Sequence, residues 1–134
     1  MADCIFCAIV AGDAPAEIVA QDAATVSFMD IAPWQPGHAL VVPRRHHTDL
    51  LEIDAADLAS TFAAARQLAL RIKGRLGADG VLVLNSCGRA AGQVVMHFHL
   101  HVVPMSGEPP PFPRSRRALD PAGRIAAAAA LRGA

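Results

Sequence analysis

Polar and apolar residues alternate most regularly over residues 97–102, where the sequence reads His-Phe-His-Leu-His-Val. Successive side chains of a β-strand point to opposite faces. This period of two therefore predicts a strand with three imidazoles on one face and three apolar side chains directed into a core. Pro104 lacks a backbone donor and is expected to end the strand. A row of imidazoles backed by apolar residues predicts a functional site.

Four shorter apolar segments predict further strands. Residues 17–20 and 25–29 flank a turn at 22–24, and this arrangement predicts a hairpin. Residues 38–42 and 81–84 predict two more strands. With the histidine strand, the chain is expected to hold five.

The clearest helix is predicted after Asp54, which can cap its N-terminus. Apolar residues then recur on one helical face for about five turns, and Gly77 is a suitable C-terminal stop. Shorter helices are predicted before Gly12 and over residues 125–131. The expected core face of the long helix consists of Leu58, Phe62, Ala65, Ala69, Ile72 and Leu76.

Strands grouped around one long helix, without regular βαβ alternation, predict an α+β fold. We expect a mostly antiparallel five-stranded sheet, one long helix and short terminal helices. A chain of 134 residues fits one domain. Its core is predicted over about residues 3–105, followed by a proline- and arginine-rich tail at 106–134 that ends in a helix.

Composition limits the classes of partner. The formal net charge is zero, so no global field favours nucleic acid or a membrane surface. No apolar run approaches the roughly 20 residues that a spanning helix needs. The N-terminus lacks the basic start and apolar stretch of a signal peptide. We therefore expect a cytoplasmic protein that binds neither nucleic acid nor membrane.

A short glycine-bearing loop, residues 85–93, precedes the histidine strand. Gly88 and Gly92 allow backbone N–H groups to approach an anion closely, and such a nest suits phosphate. Ser86 and Gln93 add hydrogen-bonding side chains. Imidazole alone could serve as a metal ligand or as a nucleophile. A phosphate cradle beside the row favours phosphoryl or nucleotidyl transfer.

Cys4 and Cys7 form a Cys-x-x-Cys pair near the N-terminus. In a chain expected to be cytoplasmic, this spacing indicates metal or redox chemistry more than a structural disulfide. Tetrahedral zinc accepts two thiolates and two imidazoles, and this reading is favoured. A pair of small buried thiols and a redox pair are the alternatives.

The order of these motifs resembles the histidine-triad (HIT) family of nucleotide hydrolases and transferases. The family signature is three histidines alternating with apolar residues, and the last histidine resembles the hydrolase branches rather than the uridylyltransferase branch. The resemblance covers roughly residues 3–105. The matching segments are 4–7, 30–38, 43–46, 91–93 and 97–103.

The resemblance implies catalysis through a nucleotidylated histidine. His99 would attack the α-phosphate of a purine nucleotide, and water would resolve the intermediate. His101 would hydrogen-bond the phosphate, and His38 would support the row from the neighbouring strand. Asp30 would accept hydrogen bonds from the ribose. The other implied contacts are a base slot of Phe6, Ile9, Met29 and Ile31 and a phosphate site of Ser86, Gly92, Gln93 and the Val94 N–H.

The resemblance also implies a structural zinc ion and a homodimer. Members with this dicysteine resemble zinc proteins, so the ligands would be Cys4, Cys7, His46 and His97. His47 is the alternative to His46 if the loop shifts by one residue.

Position 94 departs from the family pattern, because Val94 stands where serine or threonine is usual. Valine cannot donate a hydroxyl to the phosphate or to the leaving group. Phosphoramidates and dinucleoside polyphosphates are the expected substrate classes, with the former favoured. Val94 keeps open a nucleotide-binding interaction protein with weak or vestigial catalysis. A third reading is an oxygenase-type metal site made by His97, His99 and His101.

Overall fold

A computed structural model describes residues 3–108 and 120–133 of the chain. The predicted α+β fold is confirmed: five antiparallel strands form one sheet, and a long helix packs on one of its faces. The proline-rich segment predicted at 108–113 lies almost wholly outside the described residues. The elements in chain order are α1 (Ile5–Ala11), β1 (Ile18–Gln21), β2 (Thr25–Met29), β3 (Ala39–Pro43), α2 (Ala55–Leu76), β4 (Gly80–Leu84), a 3₁₀ turn (Arg89–Ala91), β5 (Leu100–Met105) and α3 (Pro121–Arg132).

The strands lie in the order β1-β2-β3-β5-β4, and every neighbouring pair is antiparallel. The predicted hairpin is confirmed as the β1–β2 pair. In the centre of the sheet, Leu40 of β3 lies opposite His101 of β5. This pairing brings the residue before β3, His38, next to the histidine row.

The histidine strand begins later than predicted, because β5 starts at Leu100. In the β3–β5 register Leu100 lies opposite Val41, so an extended ladder would set Phe98 opposite Pro43. Proline has no N–H to donate, and the ladder ends there. The Phe98 N–H instead donates to the His47 carbonyl at 2.6 Å. His97 and His99 therefore lie in the segment that leads into β5.

The predicted alternation of faces is nevertheless confirmed. Phe98, Leu100 and Val102 are completely buried in the core cluster that α2 covers. The expectation that Pro104 ends the strand is wrong, since β5 continues to Met105. Beyond Val102 the strand pairs with β4 alone, and a proline is tolerated where one side of a strand is open.

The caps of α2 are confirmed. The Asp54 carboxylate accepts the Asp57 N–H at 2.7 Å, and Gly77 adopts the left-handed conformation at the C-terminus with φ 67°. No helix in the two described ranges is long and apolar enough to cross a membrane.

The buried face of α2 differs from the predicted one. Phe62 and Leu76 are exposed, whereas Asp57, Thr61 and Leu68 are buried. Burial of the polar pair is possible because the Thr61 hydroxyl donates to the Asp57 carbonyl at 2.6 Å and the carboxylate has its own partners. Within the predicted face, Ala65 and Ile72 are buried, and Leu58 and Ala69 are partly buried against the same core.

The Asp57 carboxylate connects α2 to the loop that follows β3. It accepts hydrogen bonds from Arg45 Nε at 2.9 Å and His47 Nε2 at 2.7 Å. These bonds, with the one from Arg45 the larger, hold the pKa of Asp57 below its usual 3.8. The contact fixes the loop that carries the neighbouring His46.

A second apolar cluster lies on the opposite face of the sheet, beneath α1. Phe6 and Ile9 of α1 pack there against Phe28 and Leu40. The sheet thus separates α1 from α2, and alternate residues of β2 belong to different clusters.

We expect Asp57→Asn to lower the free energy of unfolding by about 1–3 kcal/mol, since it weakens two bonds to a buried acceptor. The folded-state pKa is lowered, so the stabilisation is complete above the usual value and is lost as pH falls below it. Urea unfolding at about pH 7 and about pH 3 measures this. The exposed Asp13→Asn is the control. An equal stability loss at both pH values would contradict the prediction.

Candidate functional site

Four potential metal ligands from three parts of the chain meet at one end of the histidine row. Cys4 caps α1, its sulfur accepting the Cys7 N–H at 3.4 Å, so the Cys-x-x-Cys spacing brings both thiols to one side of the first turn. His46 comes from the loop after β3 and His97 from the segment before β5. The four ligand atoms all lie within 4.8 Å of one another.

The distances in this cluster fit a tetrahedral metal site. Cys7 Sγ lies 3.3 Å from His46 Nδ1 and 3.5 Å from His97 Nδ1, and Cys4 Sγ lies 3.4 Å from His97 Nδ1. Sulfur and nitrogen ligands of tetrahedral zinc are about 3.6 Å apart. Burial beside Cys4 raises the pKa of the Cys7 thiol, so metal binding would have to displace its proton.

The orientation of His97 is set by the end of β3. Its Nε2 donates to the Pro43 carbonyl at 2.9 Å, which leaves the lone pair on Nδ1, the atom that faces the cysteines. Burial lowers the pKa of His97 to about 4, so the ring is neutral at physiological pH. His47 is directed towards Asp57, and the structure places His46 in the cluster instead.

His99 has the opposite tautomer. Its Nδ1 donates to the His97 carbonyl at 2.7 Å, so the lone pair is on Nε2. The ring is buried, and burial lowers its pKa below the usual value. The Phe6 ring packs against it in a T-shaped arrangement, with centroids 5.1 Å apart. A neutral imidazole with a free Nε2 is a nucleophile.

A short chain of hydrogen bonds fixes the third histidine of the row. The Trp34 N–H donates to His38 Nδ1 at 3.1 Å, so the neutral His38 ring carries its proton on Nε2. That atom lies 2.9 Å from His101 Nδ1 and 3.4 Å from Asp30 Oδ2. His101 accepts through Nδ1 and keeps an N–H on Nε2 as a donor. Burial, followed by the charges of His99 and His38, lowers the pKa of His101 to about 4.

The glycine-bearing loop is held by the amide of Gln93. Its Oε1 accepts the Gly88 N–H at 2.8 Å, and its Nε2 donates to the carbonyls of Thr48 at 2.7 Å and Val95 at 3.1 Å. The buried Gln93 side chain therefore shapes the loop, and its predicted direct contact with phosphate stays a prediction. Gly88 and Gly92 have positive φ angles of 88° and 97°, which favour glycine.

Ser86 and Gly92 lie side by side in the loop, and both line a cleft on the sheet face opposite α2. Ser86 Oγ would lie 3.8 Å from a Cβ added at Gly92, so these residues adjoin each other. The Val94 side chain is 87% exposed. Asn85 was not among the predicted site residues, yet its Nδ2 donates to the His99 carbonyl at 2.9 Å and helps position the ring.

The predicted base slot is only partly assembled. Phe6 and Ile9 lie together beneath α1, but Met29 packs on the α2 side of the sheet. The structure does not bring Met29 to the α1 side, because residue 28, one position earlier in β2, takes that side. Phe28 stands 5.4 Å from Phe6, and strand alternation could have identified it. Ile31 is fully exposed in the connection after β2.

Trp34, another residue outside the predicted site, covers His101. The two rings are stacked, with centroids 5.2 Å apart and planes 18° apart. The indole also lies 4.9 Å from the His38 ring. Its position among prolines gave no regular pattern from which this contact could be deduced.

The fold and the histidine row agree with comparisons to known proteins. Residues 11–108 match the HIT domain family, and the chain belongs to that family. An uncharacterized HIT-like protein of Saccharolobus solfataricus is 42% identical over 80% of this chain and 77% of its own. Adenosine 5′-monophosphoramidase of Schizosaccharomyces pombe is 37% identical over 78% of this chain and 76% of its own.

A solved structure shows the same arrangement of the chain. The zinc-bound histidine triad family protein from Mycobacterium smegmatis is 36% identical and has a TM-score of 0.76. The alignment covers 98% of this chain and 96% of that one. Together with the Cys4, Cys7, His46 and His97 cluster, it fits the dicysteine branch of the family.

The hydrogen bond from His38 predicts a single neutral tautomer of His101. At about pH 7, nitrogen-detected NMR should show its proton on Nε2, and the ring should titrate near 4 rather than near its usual 6.5. The spectrum of His101→Asn assigns the signals, and unfolded protein supplies the reference titration. A proton on Nδ1 would show that the hydrogen-bond chain from Trp34 is absent, and titration near the usual value would show that the ring is not buried.

Proposed function

We propose that this protein hydrolyses adenosine-type nucleotides at the α-phosphate, with phosphoramidates favoured over dinucleoside polyphosphates. The observation that carries the proposal is the hydrogen bond from His99 Nδ1 to the His97 carbonyl, which leaves a buried, neutral Nε2 beside the glycine-bearing loop. The activity in the name of the Schizosaccharomyces pombe relative supports it.

In the first step, the Nε2 lone pair of His99 forms a bond to the α-phosphorus. The P–N bond of the substrate breaks, and the amine leaves with the electron pair and takes up a proton. The nucleotidylated ring carries a positive charge, which the His97 carbonyl stabilises through the Nδ1–H. Water then attacks the phosphorus, releases a proton and returns the electron pair of the N–P bond to Nε2.

The neighbouring groups hold the phosphate. His101 donates from Nε2 to a phosphate oxygen, because its Nδ1 accepts from His38. Gly92 and the Val94 N–H lie on the rim of the loop, where backbone donors suit an oxyanion. Asp30 would accept from the ribose hydroxyls while Phe6, Ile9 and Phe28 border the base. These ligand contacts are part of the proposal.

The same proposal includes a zinc ion held by Cys4, Cys7, His46 and His97. Two thiols and two imidazoles are the donor set that structural zinc prefers, and the distances fit it. When bound, the ion supplies a cross-link among α1, the loop after β3 and the segment before β5. The hydrogen bond from His97 Nε2 to Pro43 would orient the ligand.

The wider setting of the protein follows from the sequence and is also proposed. We place a single HIT domain over residues 1–134 in the cytoplasm, as a homodimer that binds no nucleic acid. Light scattering of the purified chain tests the dimer.

His99→Asn is expected to reduce hydrolysis of adenosine 5′-phosphoramidate by at least about a thousandfold, because the nucleophile is removed. Rapid acid quench followed by mass spectrometry should detect an adenylylated wild-type protein and no adduct on the variant. Asp13→Asn, an exposed substitution away from the histidine row, is the control. Tight binding of adenosine monophosphate with no hydrolysis, and no effect of His99→Asn, would instead favour the nucleotide-binding interaction protein.

Replacing both Cys4 and Cys7 by serine should abolish stoichiometric zinc and lower the melting temperature, because two of four ligands are lost. Elemental analysis and calorimetry measure the two effects. Cys87→Ser is the matched control, since Cys87 lies outside the cluster. His99→Asn and His101→Asn should retain the metal. Loss of metal from those variants would favour the three-histidine metal site.

A further inference from the structure

A cleft of about 410 Å³ opens next to His101, on the sheet face opposite α2. Leu84 lies opposite His101 in the β4–β5 pairing, so the cleft floor continues the face of the histidine row. The floor of the cleft is formed by apolar side chains of β4 and β5, namely Leu82, Leu84, Val103 and Met105.

Trp34 forms one wall of the cleft. One face of its indole stacks on His101, yet 58% of the residue remains exposed. A large aromatic side chain left open beside an apolar floor offers a surface for a further ring. Unlike the buried Phe6, it is available without rearrangement of the core.

The cleft is continuous with the proposed phosphate site. Ser86 and Gly92 line its rim and belong to the glycine-bearing loop. Phe6 lies on the other side of the row, against His99. A nucleotide whose base lay on the Phe6 side would direct the other substituent of its phosphorus past His101 and towards the cleft.

We infer that Trp34 is a specificity-determining residue: through this cleft it selects leaving-group amines that carry an aromatic ring. The inference rests on the proposed function and names the substrate class for it. The volume lies within the range of about 300–1,000 Å³ that is usual for small-molecule sites. Within the described residues, the cleft is lined by no charged side chain. A cationic aminoalkyl group would lose its hydration there without gaining a partner.

Three adenosine 5′-phosphoramidates with alkylamine leaving groups test the selection: para-nitrophenethyl, ethyl and aminobutyl. Their amines leave through similar P–N bonds, so differences in kcat/KM report chiefly on the cleft. We expect the nitrophenethyl compound to exceed each of the others by at least about tenfold, the range for an apolar group that gains a pocket.

Trp34→Ala should bring the nitrophenethyl-to-ethyl ratio close to one, and Trp34→Phe should restore part of it. Both variants keep the backbone N–H that holds His38, so the substitution acts on the cleft rather than on the histidine tautomers. Leu51→Ala, an exposed apolar residue in a loop, is the control and should leave the ratio unchanged.

Binding can be measured without turnover, because Trp34 is the only tryptophan in the chain. In His99→Asn, the nitrophenethyl compound should quench Trp34 fluorescence, and the ethyl compound should not. Hydrolysis of the ethyl compound with no aryl preference and no quenching would overturn the cleft assignment and leave the proposed function intact. Quenching with no hydrolysis of any compound by the wild-type protein would support the cleft and overturn the function. If Trp34 fluorescence changed only when the protein was diluted, and not when a compound was added, a second copy of the chain would occupy the cleft. That result would overturn the inference.

Discussion

Each histidine of the row has one ring nitrogen committed to a hydrogen bond within the protein, and the chemistry depends on which nitrogen is left. His97 donates from Nε2 to the Pro43 carbonyl, so its Nδ1 faces the cysteines. His99 donates from Nδ1 to the His97 carbonyl, which leaves its Nε2 free. His101 accepts through Nδ1 from His38. Three identical side chains thereby present three different groups: a lone pair on Nδ1 of His97, a lone pair on Nε2 of His99 and an N–H on Nε2 of His101.

Burial acts on all three rings in the same direction. The three rings would be positively charged in part at mildly acidic pH if they were exposed, and a protonated ring is neither a ligand nor a nucleophile. Removal from water lowers the pKa of all three. The core beneath α2 makes this possible, since Phe98 and Leu100 hold the intervening backbone firmly against the sheet. Packing and protonation are thus properties of one short segment.

Features that depend on residues close together in the sequence were predictable. The alternation around His99, the Asp54 and Gly77 caps and the β1–β2 hairpin each depend on neighbours in sequence, and local geometry determines them. The resemblance to the HIT family supplied the grouping of distant residues, such as His46 with Cys4. The Cys-x-x-Cys spacing alone predicted the two thiol ligands, but it could not identify the two histidines that join them.

Features that depend on contacts between distant segments were not predictable. Asp57 is buried on α2 because Arg45 and His47 reach it from a loop, and the count of apolar residues on the helix could not show this. Met29 lies on the α2 face of the sheet, away from Phe6, because strand alternation gives the α1 face to Phe28. The late start of β5 depends on Pro43, a residue on another strand.

The two-residue spacing of the row also limits how this protein can change. An insertion of one residue between His99 and Leu100 would reverse the sides of the residues that follow, turning the His101 imidazole into the core and Leu100 towards the face that carries the histidines. Such an insertion would disrupt the core and the histidine row at the same time. New specificity can therefore arise through substitutions along the walls, at positions such as Trp34, while the length of this segment stays constant.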